Sequence, residues 1–289
     1  AEYNRSRLHA VFHTALAEYK RIDRQLAIEE KKKSVIEQLK EFYQGEVFAG
    51  EPVYQKTFTI ELILSEVEKR RNDLRSEQKV VAAKFIQLVG EIPELVDVQH
   101  NEKIWSGATE SLYPVLLAQQ KTLVAEKKIE ELDAEFRPDF GFAATYKNRV
   151  DGENDSFDGD DWFSVQLRMT VPLWASSNQK PKLASAQSRQ RSALYDLEDI
   201  RRSWEMQMAS IESKKEASQN NIAIFNTKII ALEHSIEALQ STYASGQTNL
   251  EPSLLAELNR LSLLSRIAKE EEIFIRHTQE ANAHIHIGN

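Results

Sequence analysis

Histidines and carboxylates are the side chains that could do chemistry in this chain, and their spacing gives them little to do. His277, His284 and His286 gather near the C-terminus. His277 and His284 would share a face of a helix, whereas His284 and His286 would not. A zinc or copper site needs a tighter set with carboxylate or thiolate partners. No metal site is therefore expected, and the tail HIHIGN reads as a frayed or trimmed end. Glu126 and Glu130 stand one helical turn apart, the spacing of a solvated helix face. No GxSxG elbow, phosphate-cradling glycine loop or HExxH pair occurs. The chain has no cysteine, which excludes disulfides and thiolate metal sites. No catalytic residue and no cofactor are expected, and the chain is read as no enzyme.

The residues with a distinctive physical pattern are those that could meet a lipid phase. In FSVQLRMTVPLW, from Phe163 to Trp174, Phe163, Val165, Leu167, Met169, Val171 and Leu173 fall on one parity. Ser164, Gln166, Arg168 and Thr170 fall on the other. That is a strand with one apolar and one polar face. Upstream, RPDFGFAATYKNRV has the same period: Phe140, Phe142, Ala144 and Tyr146 alternate with Gly141, Ala143, Thr145 and Lys147. The acidic loop DGENDSFDGDD joins the two, so a β-hairpin is expected. Each strand is long enough to cross the apolar layer of a bilayer when tilted. Phe140 and Trp174 at one end, with Trp162 and Phe163 at the other, resemble the aromatic girdles of membrane barrels. Equally, a soluble hairpin could pack its apolar face on a helix of its own chain. Two strands cannot close a barrel, so the membrane reading demands further strands or further copies.

The elements around the hairpin are helices. The chain has 289 residues, 28% charged and 8% aromatic, with 9 glycines and 7 prolines, a coiled-coil-like composition. Its formal net charge of −8 argues against nucleic acid as a partner. No run of apolar residues is long enough for a transmembrane helix, and no leader is visible, so position 1 reads as a processed or trimmed start. Residues 1–43 read as a helix with a seam at Leu8, Phe12, Ala15, Tyr19, Ile22 and Leu26. Gly45, Gly50 and Pro52 break it. A second helix follows to about Gly90, its buried stripe marked by Ile60, Leu64, Val67, Leu74, Val81, Phe85 and Leu88. A third runs from about Thr109 to Glu135. After the hairpin a very long helix covers roughly Pro181 to Tyr243, about 90 Å at about 1.5 Å per residue. Its seam is Ile222, Phe225, Ile229, Leu232, Ile236, Leu239 and Tyr243. Gly246 breaks it, and Pro252 begins a last helix to about His286. The two tips are alike, each with an aromatic, a glycine and a proline-bearing restart, so the chain reads as a repeat whose first copy lacks its front end.

This order of motifs resembles the TolC family of outer-membrane efflux channels. FRPDFGFAATY is similar to that family's Pro-Asp start of a barrel strand. VPLWASSNQKPKLASAQSRQ is similar to its Pro-Leu-aromatic exit into the long helix. YASGQTNLEPSLLAELNRL resembles its Tyr-x-x-Gly tip, and FIQLVGEIPEL the Leu-x-Gly-x-Pro close of the first hairpin. The patterns GEVFAGEP and LVGEIP lean toward the heavy-metal efflux branch.

The resemblance implies a mainly α fold: long coiled-coil helical hairpins of the α-barrel type, with one amphipathic β-hairpin contributing to an outer-membrane β-barrel. It implies an outer-membrane export duct with a large periplasmic portion, acting as a passive homotrimer with a periplasmic adaptor and an inner-membrane pump. Four regions follow: 1–92, a first periplasmic hairpin from an incomplete repeat; 93–136, a connector and ascending helix; 137–175, the barrel hairpin; and 176–289, a second periplasmic hairpin. Phe140, Phe142, Tyr146, Phe163, Val165, Leu167, Met169 and Val171 would face lipid. Lys147, Gln166, Arg168 and Thr170 would face the lumen. Gly45, Gly50, Pro52, Tyr243, Gly246, Leu250, Glu251, Pro252 and Glu257 would form the periplasmic tip. The family has two strand hairpins per protomer, so the missing pair is expected before residue 1. Thr248 and Pro252 stand where the best-known tip carries latch residues, and Glu251 or Glu257 would supply lumen charge instead. The alternatives are a periplasmic adaptor, or a soluble coiled-coil scaffold whose own helix covers the strand face.

Overall fold

Long amphipathic helices need long partners, and the architecture follows from that demand. A computed structural model describes residues 2–48, 54–93, 102–148, 161–171, 173 and 175–286. The chain runs α1 (Glu2–Phe48), α2 (Tyr54–Val89), a 3₁₀ turn (Thr109–Ser111), α3 (Tyr113–Ala134), β1 (Asp139–Lys147), β2 (Trp162–Thr170), α4 (Gln179–Ala244) and α5 (Glu251–His284). It divides into two compact units: Ala1–Tyr113 with Trp204–Asn289, and Pro114–Ser203.

In the first unit α1 packs against both α2 and α5. Toward its start, Ala15, Leu16 and Ile22 meet Leu74, Val81 and Phe85 of α2, with Phe12, Tyr19 and Leu26 at the margin. The Phe85 ring sits edge-on to Phe12 and Tyr19, at 5.7 and 6.0 Å between centroids, the arrangement favoured by the ring quadrupoles. Leu8, expected in this seam, is exposed. The helix that covers the seam, α2, ends at Val89, so little of it remains opposite the first turns of α1. Toward the other end, Ile36, Leu39 and Tyr43 of α1 pack with Ile60 and Val67 of α2 and Leu254 of α5.

A polar layer separates the two clusters. Gln25 is buried, and its Nε2 donates to both the carbonyl and the hydroxyl of Ser265 on α5 at 3.1 Å. Its Oε1 accepts from Arg21 at 2.6 Å, and Arg21 in turn pairs with Glu77 of α2 at 2.8 Å. A buried amide with donors and acceptors both met holds the three helices in one register, since a slip would leave it unsatisfied.

Two expected boundaries moved. The break predicted at Gly45 does not occur: α1 continues to Phe48. One interior glycine costs a helix only about 0.5–1 kcal/mol, less than the packing of buried Tyr43 beside it returns. Gly50 and Pro52 lie outside the described residues. The C-terminal histidines are not frayed either. Ile285 is buried and bridges to Leu112, and the His286 N–H donates to the Ser111 carbonyl at 2.7 Å. Lys103 closes the end of α5 by donating to the carbonyls of Asn282 at 3.0 Å and Ile285 at 2.8 Å, groups the helix itself leaves unpaired. His284 contacts the Trp204 ring at 4.2 Å between centroids, and its Nδ1 lies 3.0 Å from the Tyr3 hydroxyl.

The second unit holds α3, the hairpin and the opening turns of α4. The Thr122 hydroxyl donates to the Ala193 carbonyl at 3.4 Å, and Lys182 pairs with Glu135 at 3.7 Å, tying α3 to α4.

Candidate membrane hairpin and helical tip

Strands β1 and β2 pair antiparallel as the whole sheet among the described residues. The register sets Phe140 opposite Met169, Phe142 opposite Leu167, Ala144 opposite Val165 and Tyr146 opposite Phe163. Residues directly opposite each other project to the same face. The two apolar parities are therefore one continuous apolar face, something neither strand alone could establish. Gly141 opposite Arg168, Ala143 opposite Gln166 and Asp139 opposite Thr170 make the other face. Lys147 stands on it too, opposite Trp162, with its ammonium 5.7 Å from the Trp162 ring. Trp162, expected beside Phe163 in one girdle, is thus on the polar face, because successive strand residues alternate. Trp174 lies outside the described residues, and Val171 follows the last residue of β2.

Among the described residues no helix covers the apolar face. Phe142 and Leu167, at its middle, are 72% and 75% exposed, and Phe140, Tyr146, Phe163, Val165 and Met169 are exposed as well. Among the described residues the strand face lacks the helical cover that a soluble scaffold would give it. Contiguous exposed apolar surface of this kind marks a face that meets lipid or another protein.

In the first unit, α4 ends in a Schellman motif. Gly246 takes φ +73°, its N–H donates to the Tyr243 carbonyl at 2.9 Å, and the Gln247 N–H donates to the Thr242 carbonyl at 3.0 Å. Glycine reaches this left-handed conformation without the Cβ clash of other residues. After it, Glu251 and Pro252 open α5, proline being tolerated where a helix N–H has no partner anyway.

The tip residues of the two helical pairs come together, a juxtaposition the spacing in sequence did not reveal. Lys56 of α2 pairs with Glu251 of α5 at 2.8 Å and lies 4.9 Å from the ring of Tyr43 of α1. Burial would raise the Glu251 carboxyl, but hydrogen bonds from Lys56 and Tyr43 and the Lys56 charge outweigh it and hold it below its ordinary 4.5. Leu250 packs beside Tyr43 and Ile60 at the same cluster. Glu257 pairs with Arg260 at 2.7 Å, and Arg260 reaches Glu233 at 3.2 Å. Glu251 and Glu257 are thus each matched by a cation. Tyr243 is exposed at the last turn of α4. Tyr43 and Lys56 went unnoticed in the sequence, where an aromatic and a lysine on two helix faces carry no signal of a shared carboxylate.

Among the described residues no helix is long and apolar enough to cross a membrane, and no group of three or more histidines and carboxylates is placed to hold a metal ion.

No protein-family model matches the sequence, and no curated protein does. Solved structures are similar over nearly the whole chain. The structure of CusC, described in terms of folding and transmembrane channel formation, superposes with a TM-score of 0.76 at 13% identity, over 98% of this chain and 70% of its own. The outer membrane protein VceC of Vibrio cholerae superposes with a TM-score of 0.70 at 17% identity, over 95% of this chain and 70% of its own. The Campylobacter jejuni CmeC outer membrane channel gives 0.70 at 10% identity, over 100% of this chain and 66% of its own. The chain therefore spans about two-thirds of the length of these proteins and has their fold over that span, and its own architecture is the mainly α one with one β-hairpin that the resemblance implied.

Proposed function

We infer that this chain is a component of an outer-membrane export duct. One observation carries the reading: in the fold of outer-membrane channels, the hairpin presents a single apolar face, joined across both strands and left exposed among the described residues. A bilayer is the solvent that such a face fits, while the Gln166 and Arg168 face meets a watery lumen. Open strand edges are not tolerated in lipid, so strands from other copies complete the barrel. A homotrimer provides them. The long helical pairs extend as the periplasmic portion, and their tips, with Tyr243, Gly246 and the Tyr43–Lys56–Glu251 cluster, meet a periplasmic adaptor and through it an inner-membrane pump. The duct is passive and makes or breaks no bond. Its work is geometric: hold a wet passage open across lipid, and let contacts at the tip bias small displacements of the helices.

The test is partition and assembly of the protein with all its barrel strands. Purified from membranes, it is expected to need detergent, to float with phospholipid vesicles after alkaline wash, and to cross-link as a trimer. A protein that stays monomeric in detergent-free buffer and sediments away from vesicles would overturn the reading.

A further inference from the structure

His284, the last residue of α5, joins that helix to two others of the first unit. Its ring lies 4.2 Å from that of Trp204 on α4 and 5.8 Å from that of Tyr3 on α1, between centroids. Its Nδ1 is 3.0 Å from the Tyr3 hydroxyl, and Tyr3 stacks in turn on Tyr113 at 5.2 Å. The fasteners of the following residues come at once: the bridge from Ile285 to Leu112, and the His286 N–H on the Ser111 carbonyl. His284 also lines a groove of about 450 Å³ among α1, α2 and α5.

We propose that His284 is a proton-operated catch: neutral, it closes the end of α5 onto α1 and α4; protonated, its ring turns into the groove and Ile285 and His286 come off Leu112 and Ser111. The hydrogen bond and the surrounding charges carry this. A neutral ring can accept the Tyr3 O–H at Nδ1, whereas an imidazolium has an N–H on both nitrogens and cannot. A helix C-terminus ordinarily rewards a protonated histidine, but Lys103 already holds the carbonyls of Asn282 and Ile285 with a charge of the same sign. Burial is the first obstacle to a charge on His284, with Glu280 opposing it and Arg7 of α1 adding to it. Glu280 is shared with His277 at 3.0 Å. In the groove, Glu18 of α1 is matched by Lys84 of α2 at 3.0 Å, while Arg276 adds another cation, paired with Glu272 at 3.7 Å. Glu2 accepts from Tyr113 and lies 3.7 Å from His286. From α4 the ring meets the neutral Trp204.

Amide exchange reads the catch directly, through the Ile285 N–H held by the Ala281 carbonyl and the His286 N–H held by Ser111. Corrected for the intrinsic pH dependence of exchange, their protection is expected to fall about three- to tenfold between pH 7.5 and 5.5, about tenfold being the ceiling for one proton taken up by an open-state histidine of ordinary pKa. Amides around Phe85 in α2 are expected to keep their protection. His284→Gln, which can still accept from Tyr3 but takes up no proton, is expected to abolish the fall, and His286→Gln to leave it in place. Constant protection in the unmodified chain would overturn the proposal, and so would an unchanged fall in His284→Gln or its loss in His286→Gln alone. An equal fall around Phe85 would mean general unfolding and overturn it too. Should His284→Gln not fold, NMR titration of the His284 ring in the unmodified chain decides: a protonated ring with Ile285 and His286 still protected would overturn the catch.

Discussion

Leu167→Arg tests the face of the hairpin most directly. Leu167 lies near the middle of β2, opposite Phe142, and is 75% exposed. In a bilayer its replacement by arginine costs about 2–4 kcal/mol, the range for that residue on the lipid face of a barrel near the midplane. That is about 30- to 900-fold in the folding equilibrium. On a water-facing surface, the same change at so exposed a position costs about 0.5 kcal/mol or less. Gln166→Arg supplies the internal control. It adds the same side chain one residue away, at nearly the same depth, on the face shared with Ala143 and Arg168. Only the direction of projection differs. Urea titrations of the protein folded in phospholipid vesicles, followed by tryptophan fluorescence, should place Leu167→Arg at least about 2 kcal/mol below Gln166→Arg. Equal costs for the two substitutions, or a larger cost for Gln166→Arg, would refute the assignment of faces.

Four further outcomes are expected. Gly45→Ala should stabilise the protein by about 0.5–1 kcal/mol, since Gly45 is helical with open space around it, while Gly246→Ala should destabilise it by about 1–2 kcal/mol because of its left-handed φ; chemical denaturation of the pair reads both signs. Phe85→Ala removes a fully buried ring between α1 and α2 and should cost about 3–5 kcal/mol in the same assay. Glu251→Gln should cost under about 1 kcal/mol, as Lys56 is half exposed to solvent screening. Because the folded carboxyl is held below 4.5, that cost should be complete above 4.5 and fade as pH falls through the depressed value, so that melting temperatures of the two proteins converge in acid. His284 is held below its ordinary 6.5 by burial, with Glu280 opposing and Arg7 assisting. Its unfolded form binds the proton more readily, so stability should fall as pH drops below 6.5, and His284→Gln should flatten that slope in thermal melts.

Periodicity is a property of local chemistry, and the sequence alone determined everything that depends on it. The alternation in FSVQLRMTVPLW, the stripe from Ile60 to Phe85 and the glycine at the end of α4 each state an element and a face without reference to the rest of the chain. The order of those elements was enough to indicate the fold. What needed tertiary structure was every relation between elements. The register of β1 on β2 decided that two apolar parities make one face, and turned Trp162 toward Lys147. Packing against α2 and α5 carried α1 through Gly45, because buried contacts around Tyr43 exceed the small cost of one glycine. A bridge from Ile285 to Leu112 and the ammonium of Lys103 hold the chain as far as His286, in a stretch that reads as a frayed or trimmed end. Tyr43, Lys56 and Glu251 became one cluster only when three helices met, since attraction between charges depends on their distance in space and not on their separation along the chain.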